Sequence, residues 1–120
     1  MRAIIQRVRK ASVTVNCRKI AQIRSGMLVL LGVKKDDSEK EAALLAKKTA
    51  NLRIFSDNEG KMNLSLKEVN GQAIVVSQFT LYGNCKKGRR PSFIDAALPE
   101  KADVLYQHYV QCLRNENVPL

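Results

Sequence analysis

Gly26-Met27-Leu28-Val29-Leu30-Leu31-Gly32-Val33 is the stretch on which the fold turns. Its uninterrupted apolar and small residues have the composition of a strand buried on both faces, which places it centrally in a sheet. On its N-terminal side, residues 2 to 9, 12 to 16 and 20 to 24 are short, β-branched and partly alternating, and Asn16-Cys17-Arg18-Lys19 separates the second run from the third. They read as three strands. On its C-terminal side, Ser38-Glu39-Lys40-Glu41 has the Ser-x-x-Glu form in which serine and glutamate satisfy backbone amides at a helix start. Ala42, Leu45, Ala46, Thr49 and Leu52 then recur at helical spacing, which predicts a helix over 38–51.

Beyond that helix, Arg53-Ile54-Phe55 reads as a strand and Asp57-Asn58-Glu59-Gly60 as a turn. Asn70-Gly71 is a two-residue hairpin signal before the strand Gln72 to Ser77. Pro99 stands where a first helical turn tolerates it, and Ala102, Leu105, Tyr106, Tyr109 and Leu113 form the apolar stripe of a second helix. Strands with two separated helices predict an α+β fold, one domain over residues 1–120, with a largely antiparallel sheet. Two helices cannot cover both faces of a large sheet, so a second copy is expected to bury the remaining apolar face in a homodimer.

The net charge of the 120-residue chain is +10, and residues 1 to 35 hold nine Lys/Arg with no acid before Asp36. Such a one-sided field favours polyanions, because each phosphate neutralised releases condensed counterions; nucleic acid is the natural partner, and a solvated basic surface that only keeps the protein soluble is the alternative that composition leaves open. Cys17, Cys85 and Cys112 are odd in number and contain no Cys-x-x-Cys pair, so neither a disulfide framework nor a zinc site is indicated, and a reducing cytoplasm suits them. No stretch reaches the ~18 apolar residues of a membrane span, and the N-terminus has no long apolar leader core. No membrane partner, metal or cofactor is expected.

Residues able to do chemistry are few. His108 lies mid-helix without a carboxylate to orient it, so no serine triad can be assembled. Cys85, beside Lys86 and Lys87, is a weak candidate for an activated thiol. The end of the Gln72 to Leu81 segment is more informative. There the apolar run Ala73-Ile74-Val75-Val76 gives way to Ser77, Gln78 and Thr80 around Phe79. Polar groups at a buried strand end must be hydrogen-bonded or usable, since an unpaired one costs about 1–3 kcal/mol; they either cap their own loop or form a site. Just downstream, Lys86-Lys87-Gly88-Arg89-Arg90 sets four cations around a glycine, suited to phosphate, with Phe93 available to stack on a base.

Several segments in order, Ile5-Gln6-Arg7-Val8, Ala11-Ser12-Val13-Thr14-Val15, Val29-Leu30-Leu31-Gly32-Val33, Arg53-Ile54-Phe55-Ser56-Asp57, Gly60-Lys61-Met62-Asn63, Ser77-Gln78-Phe79-Thr80-Leu81 and Gly88-Arg89-Arg90-Pro91-Ser92-Phe93, span nearly the whole chain. Together they resemble the bacterial type of D-aminoacyl-tRNA deacylase, also called D-tyrosyl-tRNA deacylase. The resemblance implies a homodimeric, β-barrel-like fold that cleaves D-amino acids, and mischarged glycine, from the terminal adenosine of tRNA. It implies that Ser77, Gln78 and Phe79 orient the substrate. Thr80 stands where one account puts a nucleophile; no base for it is visible, so activation of water by the ribose 2′-hydroxyl is the preferred account. Lys86, Lys87, Arg89, Arg90 and Phe93 would hold tRNA. The family's second signature, a Gly-Pro run near the C-terminus that Arg7 would support, is absent: the three prolines follow Arg90, Leu98 and Val118. The domain is therefore expected to be C-terminally short. The rival reading is a non-catalytic RNA- or DNA-binding module of the same fold.

Overall fold

Strand β4, Gly26–Gly32, lies at the centre of the protein, whose computed structural model describes residues 1–120. β1 (Arg2–Val8) pairs with it antiparallel, and a strand at Gln72–Ser77 pairs with its other edge in parallel. Around this sheet stand β2 (Ala11–Val15) with β3 (Arg18–Ile23), the helix α1 (Glu39–Asn51), and the short pair β5 (Phe55–Ser56) with β6 (Met62–Leu64). The Gln72–Ser77 strand is β7, and α2 runs over Pro99–Asn115.

The α+β class and both helices are as the sequence predicts, and β4 is central. The largely antiparallel pairing is as expected, since β1–β4, β2–β3 and β5–β6 all pair antiparallel, but the barrel-like closure is corrected: the strands form three open sheets, and the β4–β7 pair is parallel. The reason lies in the connection. The chain leaving β4 passes through α1 and β5–β6 before returning to the same side, which is the crossover a parallel pair needs. Two groups on the outer edge of β7 are partnered outside any sheet: the Ala73 amide donates to the Pro119 carbonyl at 2.9 Å and the Tyr106 hydroxyl donates to the Val75 carbonyl at 2.7 Å.

Asn70-Gly71 makes no hairpin, since β6 pairs with β5 and not with β7. Residues 65–70 instead form a helical turn that the Gly71 amide closes onto the Leu66 carbonyl at 3.0 Å, with Asn70 in the left-handed region at φ 53°. The two-residue turn that does occur is Asn16-Cys17, with φ of 50° and 62°, joining β2 to β3.

Both helices cover one face of the central sheet. Met27, Val29 and Leu31 of β4 and Ala73 and Val75 of β7 point into the core. Ala42, Ala46 and Ala50 of α1 let Tyr109, Val110 and Leu113 of α2 approach closely. Thr49 takes the Tyr109 hydroxyl at 2.8 Å and gives its own proton to the Leu45 carbonyl at 2.7 Å, so both buried hydroxyls are satisfied. The opposite face is only partly covered: Leu28 and Leu30 are half-buried, contrary to burial on both faces. The entry to α1 is fixed by Asp37, buried, whose carboxylate accepts the Lys34 amide at 2.7 Å and the Met1 amine at 2.6 Å.

Candidate functional site

The site begins where β7 runs out. Ser77 ends the strand exposed, and the Gln78 amide makes a last ladder bond to the Leu31 carbonyl at 2.8 Å. The chain then tightens into a 3-10 turn over Phe79–Tyr82, with the Gly83 amide donating to the Thr80 carbonyl at 2.9 Å. Gly32, at the end of β4, makes room for this turn: a Cβ there would lie 3.0 Å from Leu81 and 3.3 Å from the Gln78 carbonyl. The Gln78 side-chain amide donates to the Thr80 hydroxyl. Thr80 is thus bonded to an amide, which cannot act as a base.

Phe79 and Phe93 meet edge to face, ring centroids 5.2 Å apart at 68°. Gly83 permits this contact, since a Cβ there would sit 3.0 Å from the Phe93 ring. With Ser77, Leu98, Ala102 and Asp103 the two rings line a mainly apolar hollow of about 470 Å³ between the end of β7 and the start of α2. Asp103 is the single ionisable residue in its lining.

Beside the hollow lies the basic loop. Asn84 and Ser92 exchange backbone hydrogen bonds of 2.7 and 2.8 Å, which pins its base, and Gly88 turns it at φ 68°. Lys86, Lys87, Arg89 and Arg90 are exposed on it, and no carboxylate pairs with any of them. The structure therefore brings Ser77, Phe79 and Phe93 into one wall, links Gln78 to Thr80, and places the four cations on the adjoining loop.

Arg7 stands apart. Its guanidinium donates to the Ile54 carbonyl at 3.0 Å, and it does not line the hollow. His108 is half-buried on α2 and also outside the lining. Cys85 is exposed on the far side of the 3-10 turn, in a second hollow with Arg2, Tyr82 and Lys86. Sequence reasoning missed Arg2 and Asp103. Arg2 donates to the Leu81 carbonyl at 2.6 Å and lies over the Tyr82 ring at 4.6 Å, bracing the turn from a position 79 residues away that no local pattern reveals. Burial pushes the Tyr82 phenol above its ordinary range, Asp37 adding to this and Arg2 opposing it, so it stays neutral at neutral pH. Asp103 was legible in principle, one helical turn beyond Pro99 and so on the same face.

A family model for D-Tyr-tRNA(Tyr) deacylase matches residues 4–119. The chain belongs to the D-Tyr-tRNA(Tyr) deacylase family. Among its relatives, a D-aminoacyl-tRNA deacylase of Thermosipho melanesiensis is 56% identical over 116 residues, covering 97% of this chain and 77% of the relative. One of Desulfatibacillum aliphaticivorans is 59% identical over 110 residues, covering 92% of this chain and 75% of its own. Of solved structures, the c-Myc DNA Unwinding Element Binding Protein superposes with a TM-score of 0.90 at 39% identity, covering 96% of this deacylase-family chain and 77% of that one. A structure described as "a probable eukaryotic D-amino acid tRNA deacylase" shares the fold, with a TM-score of 0.81 at 19% identity and coverage of 95% and 67%. No helix of this family member is long and apolar enough to cross a membrane.

Proposed function

We propose that this family member hydrolyses the ester of D-aminoacyl-tRNA, and of mischarged glycyl-tRNA, releasing free tRNA and amino acid as cytoplasmic quality control of translation. The observation that carries this reading is the adjacency of an aromatic-walled hollow at the Ser77 strand end to a pinned loop of four unpaired cations. The loop suits the phosphates next to the acceptor end, and Phe79 and Phe93 suit its terminal base. An aminoacyl ester is already activated, and its ribose 2′-hydroxyl can help activate water. The protein then needs chiefly to position the ester and to offer donors to its oxyanion. Ser77 and Gln78 supply those donors, Asp103 offers its carboxylate to the substrate's ammonium, and Arg7 acts at a distance by holding the Ile54 carbonyl. Thr80 orients Gln78 and is no nucleophile. The 120 residues work as one domain, paired with a second copy.

Single-turnover deacylation of D- and L-aminoacyl-tRNA tests this. The expected outcome is hydrolysis of the D-ester well above its spontaneous rate and above that of the L-ester. A rate equal to the uncatalysed one, alongside intact tRNA binding, would leave only the non-catalytic module, the role to which a structural neighbour named for DNA binding points. Cys85→Ser is expected to leave the rate unchanged, because the thiol lies outside the hollow.

A further inference from the structure

The chain's charge is divided unevenly. All eleven acids follow residue 35, where twelve Lys/Arg nearly balance them, so the net +10 resides almost wholly in the nine cations of residues 1 to 35. β4 contributes none of these, and five of them, Arg9, Lys10, Arg18, Lys19 and Arg24, flank or begin the strands of the β2–β3 hairpin. All five are exposed, and none joins an ion pair.

The hairpin's two faces differ in chemistry. Ala11 opposite Ile23, and Val13 opposite Ala21, form its covered side. Ser12 opposite Gln22, and Thr14 opposite Lys19, form an exposed side of donors without a carboxylate. A shallow hollow there, about 340 Å³, is lined by Lys10, Ala11, Ser12, Lys19 and Gln22, with the Lys19 ammonium donating to the Gln22 side-chain carbonyl at 3.3 Å. Cations, hydroxyls and amides together are the set that contacts phosphate oxygens. The chain has no aromatic residue before Phe55, so this face has no ring on which an unpaired base could stack.

We infer that the exposed side of the β2–β3 hairpin is a second tRNA interface, one that grips the phosphate backbone of a double-stranded stem without reading bases. It rests on the deacylase reading for its partner and completes a division of labour. The aromatic loop at 79–93 takes the unpaired acceptor end, and the aromatic-free hairpin takes the paired region, where recognition is by shape and phosphate contact.

The test replaces Lys10, Lys19 and Arg24, the cations that alternate onto this side with Ser12, Thr14 and Gln22, with glutamine in the full chain, with circular dichroism to verify folding. Binding is measured against salt for full-length tRNA and for a single-stranded oligonucleotide of the acceptor 3′ end. For tRNA the salt slope is expected to fall by about three, one per lost contact, with affinity lower by on the order of tenfold or more. Oligonucleotide binding is expected to match the parent. An unchanged slope on tRNA overturns the proposal, and so does an equal loss on the oligonucleotide. If the parent binds tRNA but hydrolyses no ester, the deacylase reading fails while the slope comparison still decides the hairpin's role.

Discussion

Tyr109 brings a phenol into the core, where burial pushes it up to about 12 against an ordinary value of 10.0, the bond to Thr49 partly opposing the rise. A folded value above the unfolded one means the neutral phenol is favoured in the fold. Its contribution is therefore complete below pH 10 and is lost as pH rises towards 12. Tyr109→Phe is expected to lower stability at neutral pH by about 1 kcal/mol, the worth of one hydrogen bond, and to flatten the loss of stability in that alkaline window. Denaturant titrations at several pH values check both. At the hollow, Phe79→Ala is expected to weaken aminoacyl-tRNA binding by about 1–3 kcal/mol, the value of one stacked base, whereas Thr80→Val should retain turnover within a few-fold. Loss of turnover in Thr80→Val, with unchanged binding, would restore Thr80 as a nucleophile. The wall formed by Ser77, Phe79 and Phe93 was half legible in the sequence. Polar residues interrupting an apolar run marked the strand end, but the aromatic pairing across fourteen positions depends on Gly83, whose role only packing reveals.

Strands and helices were readable where burial imposes a period. β4, α1 and α2 follow from apolar patterning, and the Ser38-Glu41 start of α1 is present, with the Glu41 carboxylate taking the Ser38 amide at 2.8 Å and the Ser38 hydroxyl. Those two bonds hold the Glu41 carboxyl below its usual 4.5. Their support for the helix is present above that value and is lost as pH falls through the lowered one, so Glu41→Gln should flatten the acid limb of the stability profile. Strand partners were not readable, because nothing in Gln72–Ser77 itself says that it will lie parallel to β4. The register depends on contacts between distant residues, and Gly26 shows how tightly. A Cβ at Gly26 would lie 1.8 Å from the Gln72 carbonyl oxygen, a backbone atom that cannot step aside without breaking the β4–β7 ladder. Gly26→Ala is expected to cost about 3 kcal/mol or more, as overpacking in a rigid core does, and thermal unfolding of the purified variant measures it.

For the whole molecule, the question is what covers the sheet face that the helices leave free. β3 shields part of it, since Ala21 lies near Ile74 over the β7 side. The cross-strand row Ile4, Leu30 and Val76 is less protected: Ile4 is 51% exposed, and Leu30 and Val76 are half-buried. Charge does not interrupt this row, and apolar rows of this kind stabilise a fold when a second copy removes them from water, at about 25 cal/mol per Å². The sequence had suggested as much through its shortage of helices, although it could not say which residues would be left uncovered. Sedimentation at micromolar concentration is expected to give twice the 13.4 kDa chain mass. Ile4→Glu should shift that to the monomer while leaving the far-ultraviolet spectrum intact, because a side chain already half in water has little packing to lose within its own chain. A parent that sediments as a monomer would refute the paired arrangement. A variant that remains dimeric would move the interface off this row.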